Sequence, residues 1–179
     1  MTLEIIEEGL HTTIQDKGRI GYQSYGFSVS GAMDEYAATM ANLVVGNHKD
    51  AAGIEMSFIG PTVSFDQDTI IAITGADMTA NISEQVIPLG KAIQINKGDI
   101  LQFRTAKSGL YGYLAVKGGL DLPEILGSSS TVARAGIKGI LGRKLTIGDQ
   151  LPICQSHSIK QSINWRLLLH FLIISTKTL

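Results

Sequence analysis

The stretch GIEMSFIGPTVSFDQDTIIAITGAD, residues 53–77, decides the fold class, because it joins short runs rich in β-branched and aromatic residues. Gly-Pro and Asp-Gln-Asp, which are typical turn sequences, separate these runs. Similar runs follow along the chain: KAIQI, DILQFR, YGYLAVKGG and KLTIGDQLPI. Several short strands at such spacing are typical of a β-barrel or sandwich, so the sequence predicts a mainly β fold.

The residues before this stretch predict a strand and a long loop. The segment Leu3–Ile14 is short and alternating, as in an edge strand. QDKGRIGYQSYGFSVSG follows with four glycines, and loops of this length are usually functional or disordered. Three aromatic residues, Tyr22, Tyr25 and Phe27, argue against disorder. We therefore expect an ordered loop with a functional role.

One helix is predicted before the stretch. Apolar residues recur at spacings of three and four over about 31–45, which indicates a helix with one buried face. Ser30 is the predicted N-cap and Gly46 the predicted terminator. Asp34 and Glu35 lie near the N-terminal end, where the helix dipole favours acidic residues.

Composition and charge exclude several classes of protein. The chain has 179 residues, 44% of them hydrophobic and 17% charged, so it can bury a core as one domain or one lobe. Its net charge of −1 gives no electrostatic footprint for nucleic acid or an anionic membrane. We expect neither as a partner.

The single cysteine and the N-terminus bear on location. Cys154 alone cannot form an intrachain disulfide or a multi-cysteine metal site, which suits a reducing compartment. The N-terminal sequence MTLEIIEEGL is acidic and lacks the apolar stretch of a signal peptide. These features predict a cytoplasmic protein without a metal site.

The composition changes near Gln155. All 20 glycines and all 16 acidic residues precede this point, whereas the last 24 residues carry only basic charges. The apolar run Leu167–Ile174 in that segment is too short to span a bilayer, which needs about 20 residues. We therefore predict a first lobe over residues 1–155 and a divergent tail over 156–179.

No standard catalytic motif is present, since the chain has no phosphate-binding P-loop, no H-E-x-x-H and no G-x-S-x-G. The best candidates are polar residues in glycine-rich loops, where backbone can approach a ligand closely. Asx-turns, helix caps and loop anchors account for many such residues and remain an alternative. Four clusters qualify: Gln15, Asp16, Arg19, Tyr22, Ser28, Ser30 and Asp34; Asn42, Asn47 and Glu55; Thr74 to Asp77; and Lys117 to Asp121 with Ser128 to Thr131.

These residue types suit a small carboxylate or amide ligand. Arg19 offers a two-pronged match to a carboxylate, and Lys117 offers a point charge. Asp34 or Asp77 would orient water. Asp77 follows the apolar run TIIAI, where an unpaired buried charge would be costly.

Eight characteristic segments follow one another within about residues 3–153: TTIQDKGRIGYQSYG, SGAMD, ANLVVGN, AGIEMSFIGP, IAITGADM, KGDILQF, YGYLAVKGGLDLPEILGSSST and GRKLTIGDQLP. Together they resemble the biotin-dependent carboxyltransferase or KipA family. The family includes the C subunit of bacterial ATP-dependent 5-oxoprolinase, subunit 2 of allophanate hydrolase and the carboxyltransferase domain of urea amidolyase.

The resemblance implies a cyclophilin-like β-barrel lobe and, in a full member, a second such lobe across a cleft. For the 5-oxoprolinase branch it implies ATP-dependent opening of 5-oxo-L-proline to L-glutamate together with the A and B subunits as partners. ATP would then act at the level of the complex, because this chain has no ATP motif. No metal or prosthetic group is expected.

The resemblance also implies site residues, through the positions that match the family pattern. Ser129 departs from that pattern, because relatives often have a basic residue there. The predicted catalytic residues are Arg19, Asp34 and Asp77. The predicted substrate-binding residues are Gln15, Tyr22, Ser30, Asn47, Glu55, Lys117, Gly118, Gly119, Ser128, Ser130, Thr131 and Arg143.

The change of composition near Gln155 coincides with the end of the resemblance, as a frameshift or premature stop would produce. The sequence therefore predicts a truncated subunit of a 5-oxoprolinase-type hydrolase. The alternatives are a KipA-like regulatory binding protein, an allophanate or urea carboxyltransferase-type subunit, and an inactive fragment.

Overall fold

A computed structural model describes residues 1–133 and 140–154. These residues form eleven strands, one α-helix and two short 3-10 turns, at Gln23–Tyr25 and Ile140–Gly142. The strands are β1 Thr2–Glu7, β2 His11–Gln15, β3 Gly53–Ser57, β4 Thr62–Phe65, β5 Thr69–Asp77, β6 Asn81–Ile82, β7 Gln85–Val86, β8 Ile93–Ile95, β9 Ile100–Gln102, β10 Ser108–Val116 and β11 Gln150–Pro152, and the helix is α1 Glu35–Val44. The predicted tail, 156–179, lies outside the described residues.

The strands form two antiparallel sheets. The first has the order β11-β1-β4-β9-β6-β7 and the second the order β2-β3-β10-β5-β8. The prediction of a mainly β fold with one prominent helix is confirmed. The prediction of one edge strand over Leu3–Ile14 is wrong, because this segment forms β1 inside the first sheet and β2 at the edge of the second.

The second sheet buries both of its faces, and its sequence explains why. In β5, Ile71 and Ile73 pack into the core between the two sheets, while Ala72 between them faces the helix. In β10, Leu114 likewise packs into the core and Ala115 faces the helix. The period of two along a strand therefore sends Ile71, Ile73 and Leu114 to the core and the alanines beside them towards α1.

The helix lies close to the second sheet because the facing residues are small. Ala37 and Ala41 of α1 pack with Ala72 and Ala115 of the sheet. The Thr74 hydroxyl donates a hydrogen bond of 2.6 Å to the Ala37 carbonyl. The position of α1 over this sheet is thus set by alanine packing and a buried hydrogen bond.

The helix begins later than the sequence predicted. Asp34 is the N-cap, and its carboxylate accepts a hydrogen bond of 2.9 Å from the Ala37 amide. The prediction of Ser30 as N-cap is wrong, since the Ser30 hydroxyl donates instead to the Thr131 carbonyl at 2.6 Å. The long loop therefore extends to the residue before Glu35.

The C-terminal end of the helix agrees with the prediction. Gly46 has a φ of 79°, in the left-handed region that favours glycine. Its amide donates to the Leu43 carbonyl, and the Asn47 amide donates to the Asn42 carbonyl at 2.9 Å. This pair of hydrogen bonds is a Schellman motif, which ends the helix at glycine.

Two similar turns lead into β9 and β11. In each, an aspartate carboxylate accepts a hydrogen bond from the amide three residues earlier: Asp99 from Asn96 at 2.8 Å and Asp149 from Thr146 at 2.7 Å. The glycine before each aspartate has a positive φ. The short Gly-Asp similarity within the sequence thus reflects two strand-entry turns of the same kind.

Packing in the core predicts a large difference between two leucines of β10. Leu114 is 1% exposed and Leu110 is 48% exposed. Leu114→Ala should lower the free energy of unfolding by about 2–5 kcal/mol, because it leaves a cavity in the core. Leu110→Ala should change it by less than about 1 kcal/mol. Urea denaturation measures both, and equal effects would contradict this description of the core.

Candidate functional site

The Asp16 carboxylate joins the long loop to the serine-rich segment. Its Oδ1 accepts hydrogen bonds from the Ser128 hydroxyl at 2.7 Å, the Ser130 hydroxyl at 2.5 Å and the Gly18 amide at 2.7 Å. Its Oδ2 accepts from the Ser129 amide at 2.6 Å. Four donors therefore converge on one carboxylate, which fixes both segments relative to each other.

Arg19 fastens the same segment from the other side. Its guanidinium donates to the carbonyls of Ile125 at 3.0 Å, Ser128 at 3.3 Å and Ser130 at 2.7 Å. The side chain is only 1% exposed, and burial lowers the pKa of its guanidinium, against the charge of Asp16. The geometry thus makes Arg19 a loop anchor through its Nε and one terminal nitrogen, while its buried Nη1 makes no hydrogen bond among the described residues.

Gln15, Ser30 and Thr131 complete this connection, in which the Ser30 hydroxyl donates to the Thr131 carbonyl at 2.6 Å. We call it the clamp: residues 15–31 held against residues 128–131. The Ile14 amide donates to the Thr131 hydroxyl at 3.1 Å, and the Thr131 amide donates to the Ile14 carbonyl at 2.8 Å. The Gly31 amide donates to the Gln15 side-chain oxygen at 3.1 Å. The clamp brings together six predicted site residues: Gln15, Arg19, Ser30, Ser128, Ser130 and Thr131.

A second cluster forms around Asn47, just after the helix. Its amide group donates to the Val116 carbonyl at 2.8 Å, and its side-chain oxygen accepts from the Gly118 amide at 2.8 Å. Gly118 and Gly119 have φ values of 92° and 80°, which favour glycine. Asn47 therefore ties the helix end to the turn after β10, which contains Lys117, Gly118 and Gly119.

A third cluster holds the N-terminal end of the helix. Glu55 is 7% exposed, and its carboxylate accepts from the Met33 amide at 2.7 Å and the Tyr113 hydroxyl at 2.8 Å. The Tyr113 oxygen accepts from the Asp34 amide at 2.7 Å. Burial and the Glu55 carboxylate raise the pKa of Tyr113, so its hydroxyl remains a donor. The predicted residues Glu55 and Asp34 are thus occupied in positioning α1.

Asp77 lies away from the clamp. The strand registers of the second sheet place it three strands across from Gln15 and five residues further along. This corresponds to a separation of about 20 Å. Asp77 is half-buried, and its carboxylate accepts from the Thr79 amide at 2.9 Å. A backbone amide therefore supplies the Asp77 carboxylate with a hydrogen-bond partner at the end of this buried strand.

Arg143 and Tyr22 also lie outside these hydrogen-bond networks. Arg143 forms a two-pronged ion pair with Asp149, with both N–O distances at 2.6 Å. This pair raises the pKa of Arg143 and lowers that of Asp149. Tyr22 precedes the first 3-10 turn, where its carbonyl accepts from the amides of Tyr25 and Phe27.

A cavity of about 130 Å³ lies between the clamp and the helix. One face of α1 lines it through Glu35, Ala38, Thr39 and Asn42, at positions i, i+3, i+4 and i+7. Two larger grooves, of about 590 and 350 Å³, lie around the β6–β7 hairpin and contain no predicted site residue. The other lining residues of the smaller cavity are Asp16, Lys17, Ala32, Lys49, Asp50 and Ala51.

The charged side chains around the cavity include one ion pair and two residues that belong to no ion pair among the described residues. Lys49 and Asp50 form an ion pair of 2.9 Å, and hydrogen bonding to Lys49 lowers the pKa of Asp50. Lys17 and Glu35 take part in no ion pair among the described residues. Over the same ranges, 1–133 and 140–154, no group of three or more His, Cys, Asp or Glu residues could hold a metal ion. The cavity therefore suits a small polar ligand.

Comparison with known sequences identifies the family. The sequence model described as carboxyltransferase domain, subdomain A and B, matches residues 25–173, which is most of the chain. The chain belongs to this carboxyltransferase domain family. The match extends past Gln155 into the segment for which the sequence predicted a divergent tail.

Individual members of the carboxyltransferase family are similar over most of this chain. Urea amidolyase of Lachancea kluyveri is 41% identical over 161 residues, which are 89% of this chain and 9% of the amidolyase. The C subunit of 5-oxoprolinase from Escherichia coli (strain K12) is 40% identical over 154 residues, or 86% of this chain. The chain spans about half the length of that bacterial protein, since the match covers 50% of it.

The fold of this carboxyltransferase lobe also matches a solved structure. The crystal structure of urea amidolyase from K. lactis superposes with a TM-score of 0.83 and 37% identity. The match covers 86% of this chain and 9% of the amidolyase. No helix among residues 1–133 and 140–154 is long and apolar enough to cross a membrane.

Sequence reasoning missed several residues that shape the candidate site. Lys17 and Glu35 line the cavity but were not among the predicted site residues. Tyr113 was missed because an aromatic residue in an apolar strand looks like ordinary core. Asp16 was named in the first candidate cluster but not among the predicted catalytic or binding residues, although a carboxylate after a strand and a row of hydroxyl residues are complementary hydrogen-bonding groups.

The clamp predicts a strong effect of removing the Arg19 guanidinium. Arg19→Met leaves three loop carbonyls without their donor, so it should lower the free energy of unfolding by about 3 kcal/mol. Arg104→Met, at an exposed arginine, is the matched control and should change it by less than about 0.5 kcal/mol. Similar values for the two variants in urea denaturation would show that Arg19 is not an anchor.

The Arg143–Asp149 pair predicts a pH dependence of stability. Because the pKa of Asp149 is lowered in the folded state, the stability from this pair is present at neutral pH and is lost as acid protonates the carboxylate. The difference in unfolding free energy between the natural chain and Asp149→Asn should therefore shrink steadily below about pH 4. A difference that stays constant down to pH 2 would contradict the assignment.

Proposed function

We propose that this chain is a lobe of a 5-oxoprolinase-type C subunit, with a role in the ATP-dependent opening of 5-oxo-L-proline to L-glutamate. The observation that carries the proposal is the match to the 5-oxoprolinase C subunit of two bacteria. The identity is 40% for Escherichia coli and 38% for Haemophilus influenzae, over about half the length of each.

The cavity supports a small carboxylate or amide as the ligand. Its volume of about 130 Å³ is below the range of about 300–1,000 Å³ typical of sites for drug-sized molecules. Lys17 provides an ammonium group for a carboxylate, and Thr39 provides a hydroxyl that can accept or donate. The chain also has no phosphate-binding P-loop motif. We therefore propose that ATP binds elsewhere in a complex with the A and B subunits.

A second candidate is the carboxyltransferase reaction of urea carboxylase. The 41% identity to urea amidolyase favours it, since that value is similar to the identity with the 5-oxoprolinase C subunit. The two candidates differ in the acceptor of a carboxyl group. Urea is the acceptor in the urea carboxylase reaction, whereas the opening of 5-oxo-L-proline has none. The same lobe would then hold urea, which also fits a cavity of this size.

Reconstitution separates the two candidates. The full chain is combined with the purified A and B subunits of 5-oxoprolinase, and ATP hydrolysis and glutamate formation are measured with 5-oxo-L-proline. A parallel reaction supplies urea and a carboxylated biotin carrier. The proposal predicts glutamate formation that depends on this chain. Carboxylation of urea without glutamate formation would establish the second candidate, and a complex without either turnover would contradict both.

The cavity gives a prediction for the active complex. Thr39→Leu fills part of the cavity from the helix side without touching the clamp, so it should lower kcat/KM about tenfold, equivalent to about 1.4 kcal/mol. Leu43→Thr makes the reverse exchange at an exposed position of the same helix and should leave kcat/KM unchanged. Equal activity of the two variants would remove the cavity from the site.

A further inference from the structure

We propose that Lys17 and Glu35 bind two adjacent polar groups of a small cyclic ligand, Lys17 its carboxylate and Glu35 the N–H group beside it. The inference rests on the proposed function, for which 5-oxo-L-proline is the ligand, and assigns the orientation of that ligand in the cavity. Lys17 lies within one of the segments that carry the family resemblance, and Glu35 directly follows another, but neither was a predicted site residue.

The first step is the charge that remains available in the cavity. Asp16 accepts four hydrogen bonds within the clamp, and Asp50 accepts two hydrogen bonds from Lys49. Lys17 and Glu35 line the same cavity and form no ion pair among the described residues. The pKa of Asp50 is lowered mainly by hydrogen bonding to Lys49, and the charge of Lys17 adds a smaller contribution. One cation and one anion outside any ion pair therefore remain to meet a ligand whose anionic group lies beside a hydrogen-bond donor.

The second step is the rigid backbone of Lys17. The Gly18 amide donates to the Asp16 carboxylate at 2.7 Å, and the Ala32 amide donates to the Asp16 carbonyl at 3.0 Å. A Cβ added to Gly31 would lie 3.2 Å from the Lys17 backbone, so the two ends of the loop are in close contact at Lys17 and Gly31. The clamp thus presents the Lys17 side chain from a fixed point, which limits the entropy lost on binding.

The third step is the equally fixed backbone of Glu35. Glu35 is the first residue of α1, directly after the N-cap Asp34. The Asp34 amide donates to the Tyr113 hydroxyl oxygen at 2.7 Å, and the Asp34 carboxylate accepts from the Ala37 amide at 2.9 Å. The Glu35 carboxylate therefore projects from the rigid start of the helix.

The fourth step is the apolar part of the cavity wall. Ala32, Ala38 and Ala51 line the cavity together with the charged groups. Their methyl groups suit the methylene groups of a five-membered ring. A lactam with a carboxylate on the carbon next to its nitrogen combines the required features: an anionic group for Lys17, an N–H for Glu35 and an apolar ring edge.

A set of three ligands tests this orientation by NMR titration of the full chain. The ligands are 5-oxo-L-proline, 2-pyrrolidinone, which lacks the carboxylate, and tetrahydrofuran-2-carboxylate, which lacks the N–H. Lys17→Met should weaken binding of 5-oxo-L-proline at least tenfold and leave 2-pyrrolidinone unchanged. Glu35→Met should weaken binding of 5-oxo-L-proline at least tenfold without weakening that of tetrahydrofuran-2-carboxylate. The control variants Lys97→Met and Glu84→Met lie at exposed positions outside the cavity and should leave the affinity for all three ligands unchanged.

Several results would overturn the assignment. One is that the natural chain shows no amide shifts at the cavity with 5-oxo-L-proline up to about 50 mM, where a millimolar site is saturated. Another is that each variant weakens all three ligands equally. The proposed function is tested separately by turnover of the reconstituted complex. Turnover unaffected by Lys17→Met and Glu35→Met would contradict this inference alone, whereas the expected ligand pattern without any turnover would contradict the proposed function alone.

Discussion

The hydrogen bonds to the Asp16 carboxylate are the constraint on which the candidate site depends. Three of them join Asp16 to residues 112 to 114 positions away. They take up the hydroxyl groups of Ser128 and Ser130 and the amide of Ser129. Because a buried hydroxyl or amide without a partner is costly, neither segment can take this conformation without the other. Arg19 adds the complementary half, since it satisfies the carbonyls of the segment whose donors Asp16 accepts.

A second constraint positions the opposite wall of the cavity. Alanines on both sides let α1 lie close to the second sheet, and Tyr113 and Glu55 then take up the amides at its start. The two networks share no residue, yet they hold the two backbones from which Lys17 and Glu35 project. The cavity is thus a consequence of loop and helix anchoring, and most polar residues around it are anchors that leave few groups for a ligand.

The sequence predicted the features that depend on local pattern. Alternating apolar runs indicated the β class, and Gly46 ended the helix where a left-handed residue was expected. It did not predict that Asp34 would cap the helix in place of Ser30, because the Ser30 hydroxyl is used by Thr131 across the fold. The sequence also placed Asp77 in one predicted site with residues of the clamp. Their separation across the second sheet depends on strand order, which local sequence does not determine. Arg19 illustrates the general limit, as only the fold decides whether an arginine faces a ligand or loop carbonyls.

Amide hydrogen exchange in Asp16→Ala tests the central claim most directly. If the carboxylate holds the clamp, the amides of Gly18 and Ser129 lose their protection by at least a hundredfold, while those of Ile73 and Leu114 in the core sheet remain protected. Unchanged protection of Gly18 and Ser129 would contradict the account. Equal loss of protection in the clamp and the core sheet would contradict it as well, because the clamp would then be inseparable from the global fold.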